Sequence, residues 1–298
     1  MEPPAAIPCA AEAGSPLSSM IRVVDGCSVT EAMSIVNDSD APVLFRGMID
    51  RWPARSWDPE VFAAKYGDIS TLFRVHQRQL WNRAAGDVST DEDAGLAGKA
   101  CDADPRIVWE GDCSYCHATF SQFFSWASNA SQEPSVTGAL ASFRASECFA
   151  YADYKYMHQL FAEHPDAFAA VDWAQSFGQP ADGGDSTLWL GSCGACTQCH
   201  QDSYGANLVA QLYGKKRWTL YPPSAGARGL YPTRVPYEQS SVFSRVAVHS
   251  PDLARHPQFR AVAQEARSVT LQPGEVLFVP KHWWHDVQTI SDVALSVN

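Results

Sequence analysis

From Leu188 to Asn298 the chain is a succession of short β-forming runs, LWLG, NLVAQLYG, RWTLYPP, SVTL, EVLFVP and ALSVN, separated by turn residues. Runs of about four to eight residues, rich in Val, Leu, Trp, Tyr and Thr and closed by Gly, Pro or Ser, are strands rather than helices. Their number and spacing predict a double-stranded jelly roll, a barrel of two facing sheets. Such a barrel carries side chains from strands distant in sequence onto one interior surface. The expected fold class is mainly β with α, a double-stranded β-helix with helices flanking its N-terminal side.

Two stretches within these runs hold residue types suited to a metal. One is TQCHQDSYGANLVAQLYGKKRWTLYPP, from Thr197 to Pro223; the other is PGEVLFVPKHWWHDV, from Pro273 to Val287. His200 and Asp202 are two apart, so on a strand both leave the same face. A pair of this kind is common and is often only a polar pair. His285 follows an apolar run of strand character, Val276 to Val279, ended by Pro280. Two histidines and one carboxylate make the facial triad that favours non-haem Fe(II) and leaves coordination positions open. A bidentate 2-oxo acid and dioxygen could fill them, and the acid's far carboxylate would then need a cation and a hydroxyl deep in the barrel. Lys216, in a run that alternates apolar and polar residues, and Thr197, just before His200, are the candidates. His282 is the rival to His285.

The combination is more specific than its parts. His200, Asp202, Asn207, Leu208, Gln211, Gly214, Lys216, Pro273, Gly274, Glu275, Leu277, Phe278, Pro280, Trp283, Trp284 and His285 follow the pattern of the JmjC and cupin-like family of Fe(II)- and 2-oxoglutarate-dependent oxygenases. The chain resembles that family from about Ala41 to Asn298. Within it, the runs FAYADYKYMHQLF and LYPTRVPYEQSSVFSRV are similar to a subgroup known for association with a small heat-shock protein. The resemblance implies His200, Asp202 and His285 as iron ligands, and Thr197, Asn207 and Lys216 as 2-oxoglutarate contacts. Tyr151 and Asn298 are implied as further residues lining the co-substrate site. Of Trp283 and Trp284, one ring is expected to wall the site and the other to pack outside. Asp286 either orients His285 or faces solvent.

The expected activity is that of a 2-oxoglutarate-dependent dioxygenase hydroxylating a protein substrate, with Fe(2+) as cofactor and with release of succinate and CO2. The alternative is a catalytically silent adaptor that keeps the fold and binds a small heat-shock protein. Homodimerisation through helices is a property of parts of the family. Substrate contacts are expected from Tyr204 and Trp283, and from Tyr231, Arg234, Tyr237 and Glu238 in a polar excursion over the mouth, Gly229 to His256.

Composition bounds the remaining readings. A net charge of −11 argues against nucleic acid as a general partner, because phosphate backbones are held by basic surfaces. No apolar run is long enough to predict a membrane span. Residues 1–19, rich in Pro, Ala and Ser without a basic start and apolar core, read as a disordered leader. A cytoplasmic location follows as the expectation, with the nucleus as a second. Residues 20–298 then form one domain, with the barrel over about 186–298 and a flexible acidic insertion over about 83–105.

Before the barrel, a short helix is expected over Val29 to Val36, a buried strand in APVLFRG, and a helix capped by Asp58 and Pro59 that ends at Gly67. SYCHATFSQFFSWAS reads as one amphipathic helix whose aromatic stripe is core or subunit contact. In a reducing compartment most of the nine cysteines are expected to be thiols. Cys113, Cys116 and His117 match a haem-attachment spacing, disfavoured without an export signal. Cys193, Cys196, Cys199 and His200 admit a zinc site or plain packed thiols.

Overall fold

The expected β runs all form and fall into two sheets in the computed structural model of the chain, which describes residues 21–78, 107, 109–128, 137–235 and 242–298. In chain order the strands are β1 (Arg22–Asp25), β2 (Val43–Arg46), β3 (Ser70–Gln77), β4 (Ser114–Thr119), β5 (Cys148–Tyr156), β6 (Thr187–Ser192), β7 (Cys196–Gln201), β8 (Asn207–Tyr213), β9 (Lys216–Tyr221), β10 (Pro232–Arg234), β11 (Val242–Ser244), β12 (Arg267–Leu271), β13 (Val276–Val279), β14 (Trp284–Thr289) and β15 (Val293–Val297). The helices are α1 (Val29–Asp38), α2 (Pro59–Tyr66), α3 (Phe120–Ser128), α4 (Met157–Leu160) and α5 (Trp173–Phe177). The insertion over 83–105 and the leader over 1–19 lie outside the described residues.

One sheet has nine strands in the order β1-β2-β13-β8-β15-β6-β5-β3-β4, and the other has six, β10-β11-β7-β14-β9-β12. The block β13-β8-β15-β6 faces the block β7-β14-β9-β12, which is the double-stranded jelly roll. Alternation along each strand sorts residues between the barrel interior and its outside. Val209, Leu277 and Val279 point inward to meet Trp218, Leu220, Leu271 and Val287. Their neighbours Ala210, Val276 and Phe278 point outward into the main core with the N-terminal helices. Strand β13 is therefore buried on both faces, which is why EVLFVP reads as a continuous apolar run.

Local signals set the helices. The Ser28 hydroxyl accepts from the Glu31 amide while the Glu31 carboxylate accepts from the Ser28 amide, a reciprocal box that starts α1. Asp58 accepts from the Val61 amide and Pro59 opens α2, which ends before Gly67. SYCHATFSQFFSWAS is not one helix. Its first half is β4, paired antiparallel with β3, and the helix starts only at Phe120. Thr119 marks the change: its amide donates to Gln122 Oε1, and its hydroxyl accepts from the Gln122 amide. Phe120, Phe123, Phe124 and Trp126 are then buried in the main core.

The excursion after β9 is also more folded than a polar loop. Leu230, Val246, Phe259 and Val262 pack with Cys199, Tyr221 and Trp284 against the outer face of the six-stranded sheet, and β10 and β11 extend that sheet beside β7. Among the described residues no helix is long and apolar enough to cross a membrane.

The β8–β9 turn sets the approach of Lys216 to the interior. Gly214 there has φ +64°, and a Cβ on it would meet the Val293 carbonyl oxygen at 1.9 Å, whereas one on Gly205 would meet nothing within 4 Å. Gly214→Ala is expected to lower stability by more than about 1 kcal/mol. Gly205→Ala should stay within about 0.5 kcal/mol of the parent. Paired urea titrations measure both, and equal midpoints would contradict the turn geometry.

Candidate metal and co-substrate site

Strand pairing brings the triad together. His285 on β14 lies directly opposite His200 on β7. Asp202 follows just beyond the end of β7, and the three ligand atoms lie within 4.8 Å of one another. His200 Nε2 is 3.5 Å from Asp202 Oδ1, and His285 Nε2 is 3.7 Å from Asp202 Oδ2. Each imidazole is held through its other nitrogen. His200 Nδ1 bonds the Gln198 carbonyl at 2.8 Å and His285 Nδ1 bonds the Trp283 carbonyl at 3.1 Å. With both Nδ1 atoms donating to carbonyls, both Nε2 lone pairs are left for a metal. His282, exposed at φ 68° in the turn before β14, stands outside this arrangement.

The site's charge suits a cation. Burial raises the Asp202 carboxyl, but the adjoining imidazoles of His285 and His200 outweigh it and hold Asp202 well below the usual carboxylate range; burial lowers the His200 imidazolium in turn, and the Asp202 carboxylate outweighs that and raises it. Burial, reinforced by the neighbouring His200, pushes the His285 imidazolium down to about 4. A carboxylate that stays ionised and an imidazole that stays neutral are the protonation states a metal needs.

A cavity of about 500 Å³, counting the space at its mouth, runs from this triad into the barrel. Thr197, Asn207, Lys216, Tyr151 and Asn298 all line it, as does Tyr204. Alternation accounts for most of the wall: Asn207 and Val209 on β8, Lys216 and Trp218 on β9, His285 and Val287 on β14. Ser296 and the neighbouring Asn298 continue the wall at β15. Thr197 and His200, three apart, cannot both face inward on a regular strand. A bulge resolves this: a step of two positions on β14, His285 to Val287, is matched by a step of three on β7, His200 to Thr197. Strand β5 repeats the device, with Ala152 to Lys155 set against Leu190 to Leu188 of β6. Tyr151 and Tyr154, also three apart, thereby both reach the cavity, and Tyr154 takes φ 53° and leans on Trp189.

At the cavity's inner end Lys216 is 2% exposed, and its Nζ donates to Ser296 Oγ at 2.8 Å and lies 5.5 Å from the Tyr151 ring centre. Burial lowers its ammonium to about 7, against an upward pull from Asp153. Beside it, Asn298 Nδ2 donates to Asn207 Oδ1 at 2.9 Å, and the Trp189 indole donates to Asn298 Oδ1. Behind Tyr151, Arg74 Nε donates to Asp153 at 2.8 Å, and Arg74 Nη2 donates to the Cys196 carbonyl at 3.0 Å.

Other expectations are corrected. Neither Trp283 nor Trp284 walls the cavity. The Trp283 indole donates to the Asp40 carbonyl and its ring lies under Arg267, while Trp284 faces the outer layer. Trp218 and Trp189 are the tryptophans that line it. Asp286 neither orients His285 nor meets solvent; it is buried with its Oδ1 2.6 Å from His249 Nε2, on the opposite face of β14. Tyr231 accepts from the Gln258 amide and packs on His256, and Arg234 sits on β10, both away from the cavity. Tyr237 and Glu238 lie outside the described residues.

The cysteine run cannot form one zinc site. Cys196 packs with Phe149 and Tyr151, whereas Cys199 packs in a separate cluster with Tyr221 and Trp284. Burial also raises both thiols, Cys196 to about 12, disfavouring the thiolates zinc requires. Cys27, Cys113, Cys116, Cys148, Cys196 and Cys199 are free, whereas Cys193 departs from the expected thiols and is disulfide-bonded.

The sequence matches the cupin-like domain over residues 30–298, and the chain belongs to that family, in its JmjC-type branch. It is 43% identical over 269 residues to HSPB1-associated protein 1 of Homo sapiens, covering 90% of this chain and 49% of that protein. The Danio rerio homolog is 44% identical over 269 residues, covering 90% and 53%. Lysine-specific demethylase 8 of Xenopus tropicalis is 31% identical over 150 residues, 49% of this chain and 32% of that protein. The chain spans about half the length of the HSPB1-associated relatives.

The buried amine gives a pH signature. Lys216 titrates near 7 when folded, well below its ordinary value of 10.5, so the unfolded chain binds the extra proton between those values. Its penalty on stability is complete below pH 7 and fades as pH rises towards 10.5. Lys216→Met should therefore stabilise the metal-free protein by about 1 kcal/mol or more at pH 6, an advantage that shrinks at pH 9. Denaturant midpoints of the two proteins at both pH values measure it, and an advantage that grew with pH would reverse the sign assigned.

Proposed function

We propose that the chain is an Fe(II)- and 2-oxoglutarate-dependent dioxygenase that hydroxylates a protein substrate. The observation that carries this reading is the convergence of His200, Asp202 and His285 at the mouth of a cavity whose inner end holds one buried amine, Lys216. The donor set fits the metal: two imidazoles and one carboxylate on one side, with the other side open to the cavity. When bound, iron would couple oxidative decarboxylation of 2-oxoglutarate by dioxygen, giving succinate and CO2, to insertion of the second oxygen atom into a substrate C–H bond.

The protein's own work is to bind, orient and shield. Lys216, Tyr151 and Thr197 would receive the far carboxylate of the co-substrate. The Lys216 ammonium, buried beside the Ser296 hydroxyl, would gain a counter-charge when that dianion binds. This would strengthen binding in a site walled in part by Val209, Val287 and Trp189. Asn207 and Asn298, bonded to each other, present one amide edge along the way. Tyr204, 45% exposed, stands at the open side, where a protein side chain would enter.

A second reading is favoured by the names of the relatives, which record association with HSPB1. It makes this chain a scaffold that binds a small heat-shock protein. The two readings are compatible, since a binding surface need not involve the triad. A pull-down that succeeds equally with wild type and with a triad variant would separate binding from catalysis.

Asp202→Ala tests the enzymatic reading. Succinate formation by iron-loaded protein, with a peptide pool from cell extract, should fall by more than about 100-fold, beyond the loss typical of changes outside the ligand set. Bound iron should fall with it. Turnover that survives in Asp202→Ala would overturn the assignment.

A further inference from the structure

The three members of the triad are not held alike. His200 and His285 sit on paired strands, and each ring is fixed at Nδ1 by a backbone carbonyl. Asp202 stands beyond the end of β7, in the connection 202–206 that leads to β8, where Ser203, Tyr204, Gly205 and Ala206 are all exposed. Its carboxylate lies 3.5 Å from His200 Nε2 and 3.7 Å from His285 Nε2, and a metal seated among the three would take the place of both contacts. A ligating carboxylate keeps lone pairs beyond the one it gives the metal, and a donor to those sets which oxygen faces the ion.

Tyr204 is such a donor. Its hydroxyl hydrogen-bonds the Asp202 carboxylate and also the Asn298 side chain. The other bonds of Asn298 fix the direction of these two. Asn298 Oδ1 accepts from the Trp189 indole, and Asn298 Nδ2 donates one hydrogen to Asn207 Oδ1 at 2.9 Å. The second Nδ2 hydrogen then goes to the Tyr204 oxygen, and the phenolic hydrogen goes to Asp202, which as an ionised carboxylate can only accept. A polar chain thus runs from Trp189 on β6 through Asn298 and Tyr204 to Asp202. All four line the cavity, and the chain crosses its mouth from the nine-stranded sheet to the end of β7.

We propose that Tyr204 is a positioning residue for the metal: its hydroxyl holds Asp202 in the orientation that presents one carboxylate oxygen to the ion, and Asn298 holds Tyr204. This inference rests on the reading above and adds to it the residue that fixes the member of the triad that strand pairing does not. A phenylalanine would keep the ring at the mouth and lose the donor.

The test is calorimetric titration of Mn(II) into metal-free protein, then of 2-oxoglutarate into the Mn(II)-saturated protein under anaerobic conditions, on wild type and Tyr204→Phe. The Mn(II) Kd of Tyr204→Phe should rise about tenfold or more, the scale of a lost partner behind a metal ligand, while its 2-oxoglutarate Kd stays within about twofold of wild type. General loosening of the site would weaken both. That result, or equal Mn(II) affinities, overturns this inference and leaves the dioxygenase reading standing. A wild type that binds neither overturns both. A second measurement needs no variant: in wild type with tyrosine labelled with 13C at Cζ, saturation with Zn(II) should move one phenol resonance, because the acceptor of Tyr204 becomes a metal ligand. No such movement overturns the inference.

Discussion

The antiparallel pairing of β7 with β14 is the constraint on which the site depends. It sets His200 opposite His285, and its bulge turns Thr197 to the same side. A one-residue slip would send every side chain of one strand to the other face. His285 would then point to the outer layer where Trp284 and Asp286 now lie. Register is fixed from both sides of the sheet. Inside, Trp218 and Phe243 lie nearly parallel to His285 and His200, at 28° and 24°. Outside, Trp284, Tyr221 and Cys199 are locked under the excursion that follows β9.

Much of this was legible in the sequence because it follows from alternation and from turn chemistry. The strands, helix α1, the capped start of α2, and the convergence of His200, Asp202 and His285 all derive from local patterns. What was not legible depends on departures from alternation or on partners remote in sequence. A bulge leaves no signature in QCH or DYK, so the sequence pattern points to Tyr151 and not to Tyr154. Trp218 could have been found by stepping two residues from Lys216, as Ser296 could from Asn298. The W-W-H run drew attention to Trp283 instead, but Trp283 precedes β14 and belongs to the turn, where its indole is taken by Asp40. Asp286 neighbours His285 in sequence, yet adjacent strand residues face opposite ways, and its partner His249 lies on a segment with no regular pattern. SYCHAT carries no local mark that parts it from the helix after it, because its strand identity comes from pairing with β3, a long-range contact.

The two bulges share a purpose. Each lets a single strand contribute two side chains three positions apart to one small cavity, which regular alternation forbids. On β7 the gain is a hydroxyl beside a ligand histidine, and on β5 it is a second phenol beside the first. The cost is visible at Tyr154, whose left-handed backbone is unfavourable for an aromatic residue and persists only where its surroundings hold it. Gly191 shows the accommodation: it pairs with Tyr151, and a Cβ there would stand 3.0 Å from the Tyr151 ring.

The site also makes demands on stability that the barrel alone does not offset. Lys216 is buried next to a hydroxyl and no carboxylate contact, and Arg74 with Asp153 forms a buried ion pair behind Tyr151. Buried charges of this kind give little net stability and often reduce it. The compensation lies on the outer face of the nine-stranded sheet. There Trp57, Phe62, Tyr66, Phe120, Phe124 and Phe161 form a cluster of largely edge-to-face rings, each buried side chain worth about 1.5–3 kcal/mol. Arg74 joins the two halves of this arrangement, because it sits on β3, pairs with Asp153 on β5, and reaches the Cys196 carbonyl on β7 across the barrel seam. The N-terminal strands and helices are thus part of the site's physics: they supply the apolar burial that lets the interior keep an amine, a carboxylate and two imidazoles away from water.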